Sequence, residues 1–180
     1  MQTSWRTDAD KLTFIVCKPP PSVPKCIMAE KEDAPSCMIG DVNLFLTCEE
    51  EDEEVGDRQA LIGEIEIMIA EKQQQGQGLG KEILLVFMWY ILQSNDAIMD
   101  EYHVNNTNGK KSSHLKWFRV KIDKDNTRSL RLFESVGFKQ ASQEPNYFGE
   151  LELRFTLESD SMRDVHERLG ETPRRLSYES

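Results

Sequence analysis

Apolar and polar positions alternate most cleanly across residues 61–70 (LIGEIEIMIA), where Ile65, Ile67 and Ile69 fall on one side of an extended chain and Glu64, Glu66 and Met68 on the other. This is a strand with one apolar face. Residues 12–17 (LTFIVC) form a shorter β-rich run that stops at three consecutive prolines, and a polar, proline-containing loop continues to Ser36. Residues 38–47 (MIGDVNLFLT) alternate more loosely and again predict a strand. The six carboxylates of residues 49–54 repel one another and predict a solvated loop.

After the alternating strand the period changes. A glycine-rich turn (QQQGQGLGKE, residues 73–82) leads into a segment from Lys81 to Gln93 that is apolar nearly all round, which predicts a buried helix. Residues 94–115 are polar and irregular and are expected to form an exposed insertion. Residues 117–122 (WFRVKI) read as a strand. Asp125 and Asn126 then offer a helix cap before residues 129–136, whose Leu130, Phe133 and Val136 share an apolar side, and Gly137 stands where a helix terminator belongs. Residues 138–141 and 151–157 (LELRFTL) are further strands. From Glu158 the chain is a polar tail, helical or frayed.

The 180 residues suit a single domain over residues 1–157 followed by that tail (158–180). A formal net charge of −10 has the wrong sign for a phosphate-backbone binder, so no nucleic-acid partner is expected. Cys17, Cys26, Cys37 and Cys48 form no C-x-x-C pair and have no histidine at zinc-ligand spacing, which predicts scattered reduced thiols and no metal. The first residues lack a basic-then-apolar pattern, and the longest apolar run, residues 83–92, is too short for a bilayer. The expected location is cytoplasmic with no membrane partner, and the sequon at Asn105 is then a chance match.

Strand, glycines and helix start together make a general anion-binding arrangement, because unpaired N–H groups and the positive end of the helix dipole face the ligand. Two nucleotide patterns fail for Gly76, Gly78 and Gly80. The Walker A motif needs a glycine where Gln75 stands and a hydroxyl where Glu82 stands, and the dinucleotide pattern has its third glycine one residue early. The pattern [QR]-x-x-G-x-[GA] fits Gln75-Gly76-Gln77-Gly78-Leu79-Gly80.

That pattern is the signature of the GNAT superfamily of N-acetyltransferases, and NTRSLRLFESVGF (residues 126–138) resembles the superfamily's second signature. With the runs SWRTDADKLTFIV, GDVNLFLT and GEIEIMIAE, the chain is similar to the RimJ/RimL-type branch that holds the N-acetyltransferase 9-like proteins. The resemblance implies an α/β (α+β) fold, a central mixed β-sheet flanked by helices. It also implies that the strand and helices which precede the equivalent of Ser4 in relatives are missing. The implied reaction moves the acetyl group of acetyl-CoA, as co-substrate, to an amine on a protein or peptide, either an N-terminus or a lysine. Strand backbone at Met68, Ile69 and Ala70 would bond the pantetheine arm. The loop amides of Gln75, Gly76, Gln77, Gly78, Leu79, Gly80 and Lys81 would hold the pyrophosphate, and Asn126 would contact the cofactor from the second signature. Glu64 matches the strand glutamate that serves as base in some relatives, and Glu66 shares its face. An apolar neighbour such as Met68 would raise a carboxylate pKa there.

The departures define a second reading. Phe133 stands where many relatives carry a tyrosine acid, and Arg119 and Lys121 stand in the strand where many carry a glutamate. On that reading the chain is a non-catalytic binding module of the same fold.

Overall fold

The expected strand over residues 61–70 is the centre of the molecule. It belongs to β4 (Arg58–Ile69), whose antiparallel neighbour is β3 (Met38–Cys48), in register from Gly40 opposite Ile69 to Cys48 opposite Leu61. The computed structural model describes residues 8–22, 24–48, 58–106 and 112–179. The acidic run of residues 49–54, the stretch 107–111 and the first seven residues lie outside these.

β1 (Lys11–Cys17) pairs antiparallel with β3 on its outer side. On the other side β4 runs parallel to β5 (Ser112–Asp123), which pairs antiparallel with β7 (Glu150–Thr156), and β7 pairs with β6 (Lys139–Gln140). The result is a six-stranded mixed sheet in the order β1-β3-β4-β5-β7-β6. A parallel pair needs a long crossover between its strands. Here that connection contains α1 (Leu79–Gln93) and α2 (Asn95–Asn106).

The alternation read from the sequence decides which sheet face is dry. Leu44 opposes Ile65 and Val42 opposes Ile67, and Phe118, Val120 and Leu153 continue this apolar face across β5 and β7. Leu84, Leu85, Phe87, Met88 and Ile91 of α1 pack into the same cluster, with Phe133 and Val136 from the region of α3 (Thr127–Ser135) and Val165 from α4 (Ser161–Leu169). Burial of α1 around most of its circumference agrees with its unbroken apolar sequence. The opposite face carries Asp41, Asn43, Glu64, Glu66, Arg119 and Lys121.

Two expectations need correction, and one open alternative is resolved. Residues 94–115 are not irregular: 95–106 form α2, and residues 112–115 already belong to β5. Among the described side chains of α2, Ile98, Met99 and Tyr102 alone are well buried, a stripe too short to produce a clear helical period in a polar segment. The loop before Ser36 contains β2 (Cys26–Met28), which pairs in parallel with β8 (Ser177–Glu179) from the far end of the chain, with the Tyr178 hydroxyl donating to Asp33 at 2.7 Å. The tail resolves in favour of helix, since Val165 is fully buried and Gly170 ends α4 in the left-handed region.

Candidate active site

The site begins where pairing between β4 and β5 stops. Their parallel ladder runs from Arg58 opposite Ser112 to Glu64 opposite Arg119, and no further. β4 stays bonded to β3 as far as Ile69, so its remaining residues keep one paired edge and turn the other to an open slot between diverging strands. Unpaired main-chain groups inside a fold need partners. One comes from the glycine loop: the Gln75 side-chain amide donates to the Ile69 carbonyl at 2.7 Å.

Two adjoining cavities fill this slot. The first, of about 490 Å³, is lined by Ile67, Met68 and Ile69 of β4, by Gln75, Gly76, Gly78, Gly80 and Lys81, and by the α3 start at Asn126, Arg128 and Ser129. Gly78 caps α1 with φ +86°, a left-handed conformation that side-chain-bearing residues rarely adopt. Having no side chain, it offers no capping acceptor; the Lys81 N–H turns back to the Gly78 carbonyl at 3.0 Å, and the N–H groups of Leu79 and Gly80 are left for an anion. The α3 start does have its cap: Asn126 Oδ1 accepts from the Ser129 N–H at 3.1 Å. Its second side-chain contribution is Arg128, which the sequence reading missed. Arg128 Nη1 donates to Gln75 Oε1 at 3.4 Å, so Gln75 ties the loop to β4 with one end and to α3 with the other. A cation two residues after the cap of the second signature is the signal that would have found it.

Eight of the eleven cofactor positions expected from the sequence line this cavity: Met68, Ile69, Gln75, Gly76, Gly78, Gly80, Lys81 and Asn126. Ala70, Gln77 and Leu79 do not. The Ala70 N–H donates to Ile39 at 2.8 Å, the Gln77 side chain folds back onto the Gln73 carbonyl, and Leu79 faces an apolar groove shared with Phe14 and Ile83.

The second cavity, of about 390 Å³, shares Ile67, Met68, Asn126 and Ser129 with the first and extends to Asp41, Asn43, Glu66, Lys121, Asp123 and Phe133. The two expected catalytic glutamates part company here. Glu64 is clamped by Arg119, with Oε2 at 2.9 Å from Nε and 2.6 Å from Nη2, and Lys121 Nζ lies 3.4 Å from the same oxygen. Glu66, two residues on, lines the cavity, and desolvation with the nearby Glu64 and Asp41 carboxylates raises its pKa above the ordinary value. Phe133 is 2% exposed and meets Phe138 edge to face with centroids 5.0 Å apart, a core contact rather than a proton donor.

An open edge of strand backbone, a helix start without a side-chain cap, and Lys81 and Arg128 beside it form a cradle for an elongated ligand with an anionic end. Among the described residues no group of His, Cys, Asp and Glu has the arrangement of a metal site, and no helix is long and apolar enough to cross a membrane.

Comparison with known proteins agrees with this geometry. The model of the acetyltransferase (GNAT) domain matches residues 2–139. An N-acetyltransferase 9-like protein of Schizosaccharomyces pombe is 35% identical over 172 residues, covering 85% of this chain and 73% of its own length. The human alpha/beta-tubulin-N-acetyltransferase 9 is 36% identical over 163 residues, which is 87% of this chain but 61% of the human protein. Among solved structures, RimJ of Mycobacterium smegmatis in complex with CoA-disulfide has the same fold at a TM-score of 0.56 and 15% identity, covering 93% of this chain and 64% of that one. An aminoglycoside acetyltransferase in complex with coenzyme A aligns at 0.52 and 15%, over 93% and 75%. With a family model over most of its length and relatives above one-third identity, the chain belongs to the GNAT family of acetyltransferases.

Proposed function

We propose that this protein transfers the acetyl group of acetyl-CoA to a primary amine on a protein or peptide. The observation that carries the reading is the end of the β4–β5 ladder at Glu64 and Arg119, which opens adjoining cavities, one built for an anion and the other holding Glu66. Acetyl-CoA supplies an activated thioester carbonyl. Gly76, Gly78, Gly80, Lys81 and Arg128 would hold its phosphate-bearing end, and the free edge of β4 at Met68 and Ile69 would bond its amide-bearing arm. Glu66 is the proposed base: it takes one proton from the acceptor ammonium, leaving a neutral amine to form the new N–C bond as the C–S bond breaks. CoA departs as a thiolate, and the second amine proton passes to it or to solvent. No protein acid is required, because a thiol pKa near 8.5 makes thiolate a competent leaving group near neutral pH. Glu64, held by Arg119 and Lys121, sets the negative field beside Glu66.

Titration with acetyl-CoA followed by a thiol-release assay with amine acceptors tests this. The name of the human relative makes alpha/beta-tubulin the first protein acceptor to try. A second reading, a binding module without turnover, is favoured by Phe133 in place of a tyrosine acid and by the locked Glu64. Tight acetyl-CoA binding with no thiol release on any amine would select it.

A further inference from the structure

β1 ends the sheet on its side, and among the described residues no strand pairs with its far edge. The Leu46 N–H donates to the Asp10 carbonyl and the Lys18 N–H to the Cys37 carbonyl, each at 2.8 Å, so the even-numbered residues of this stretch turn their main-chain groups toward β3. Directions alternate along an antiparallel ladder, so Thr13, Ile15 and Cys17 turn theirs outward. The Lys11 N–H lies on the same edge but is given to the Asp8 carbonyl at 3.2 Å.

Open edges are normally blunted by charge or proline. Residues 12–16 (LTFIV) contain neither, and Phe14 and Ile15 are 37% and 55% exposed. Phe14 is held by edge-to-face contacts with Phe87 and Tyr90 of α1, at 5.6 and 4.9 Å. With Val16, Ile83 and Val86 it borders an apolar groove of about 410 Å³ that runs along the edge.

The edge is complementary to itself. Two antiparallel copies with Phe14 opposite Phe14 set Thr13 opposite Ile15, so that outward main-chain groups meet, and Leu12 opposite Val16 on the apolar side. The same register brings Asp10 to Lys18 of the other copy at both ends of the pairing. Both side chains are exposed, and neither enters an ion pair among the described residues. Charge complementarity at the ends and an uncharged centre favour a second copy of this chain over an unrelated strand.

We infer that β1 is a self-association edge: two copies pair through antiparallel β1 strands in this register and join their six-stranded sheets into one.

Sedimentation of the full chain at about 50 μM should show a dimer and nothing larger, because the pairing uses up the edge. Thr13→Pro removes an outward N–H that β3 does not use, so it should leave the far-UV circular dichroism unchanged and weaken the dimer at least about tenfold. Asp10→Lys sets like charges against each other at both ends and should weaken it about tenfold. Adding Lys18→Asp to that variant should bring the affinity back within about threefold of the parent. A parent that sediments as a monomer overturns the inference and leaves the edge to a strand of another protein. A dimer that a folded Thr13→Pro variant retains also overturns it, since such a dimer forms through another face. Should Thr13→Pro fail to fold, the exposed charge pair decides alone: an exchange that does not restore the dimer overturns the register and the inference with it.

Discussion

Glu64 and Arg119 are the last residues paired in the β4–β5 ladder, and their side chains close the same rung with contacts of 2.6 and 2.9 Å. The ion pair therefore sits at the vertex of the slot. Both side chains are about one-fifth exposed or less, so solvent screens the pair only in part. Replacing Arg119 with Met should cost about 1–3 kcal/mol in urea denaturation, because Glu64 would keep only Lys121. A loss below a few tenths of a kcal/mol would mean that the vertex is held by the ladder alone.

The roles of the two glutamates separate in a turnover assay. Glu66→Gln should lower kcat by roughly 10²–10⁴-fold, the usual contribution of a general base. Glu64→Gln should cost about tenfold or less, because its carboxylate is engaged by Arg119 and Lys121. Acetyl-CoA affinity should stay near that of the parent in both. The opposite ranking would return the base to Glu64.

Glu66 also predicts a pH signature. Burial first, then Glu64 and Asp41, hold its pKa above the ordinary glutamate value, and Asp123 and Lys121 line the same cavity. As a base it acts only when ionised, so kcat/KM should fall as pH drops through that raised pKa. Stability runs the other way. The folded state binds this proton more tightly than the unfolded chain, so the contribution is present below the unfolded pKa and is lost as pH rises through the folded one. Glu66→Gln should thus melt slightly higher than the parent at neutral pH and show no such gain in acid. Scanning calorimetry at both pH values decides it.

Arg128 should matter for cofactor binding and little for the fold, being exposed on the first turn of α3. Arg128→Ala is expected to weaken CoA binding about tenfold, the scale of a hydrogen bond to a charged group. Because the missing interaction is electrostatic, added salt should weaken the parent more than the variant. Parallel salt titrations would show that Arg128 does not face the anion.

Gly40 guards the backbone of the cradle. A Cβ on it would lie 2.0 Å from the Met68 carbonyl oxygen, a distance no side chain can hold, so Gly40→Ala must push β3 from β4 at the residues that border the slot. Loss of CoA affinity together with a lower melting temperature is the expected result. Parent-like values in both would mean that the strands separate there without consequence.

Much of this was legible in the sequence because it depends on near neighbours. The strict alternation over residues 61–70 fixes which face of β4 is buried, whatever packs on it. The glycines before α1 and the Asn126 cap of α3 are local devices, set by backbone conformation and by one side chain reaching three residues ahead. Both appear where they were expected. Other features are properties of distance through space. Glu64 and Glu66 are indistinguishable by period; it is Arg119, 55 residues away in the chain, with Lys121 beside it, that tells them apart. Helix α2 has too few buried residues to declare itself, and β2 finds its partner strand near the other end of the chain. The need for glycine at position 40 comes from the Met68 carbonyl, and the slot exists because a ladder ends at one particular rung. Periodicity records which face of an element is wet or dry. Which distant residue meets it, and where two strands part, is decided only when the sheet assembles.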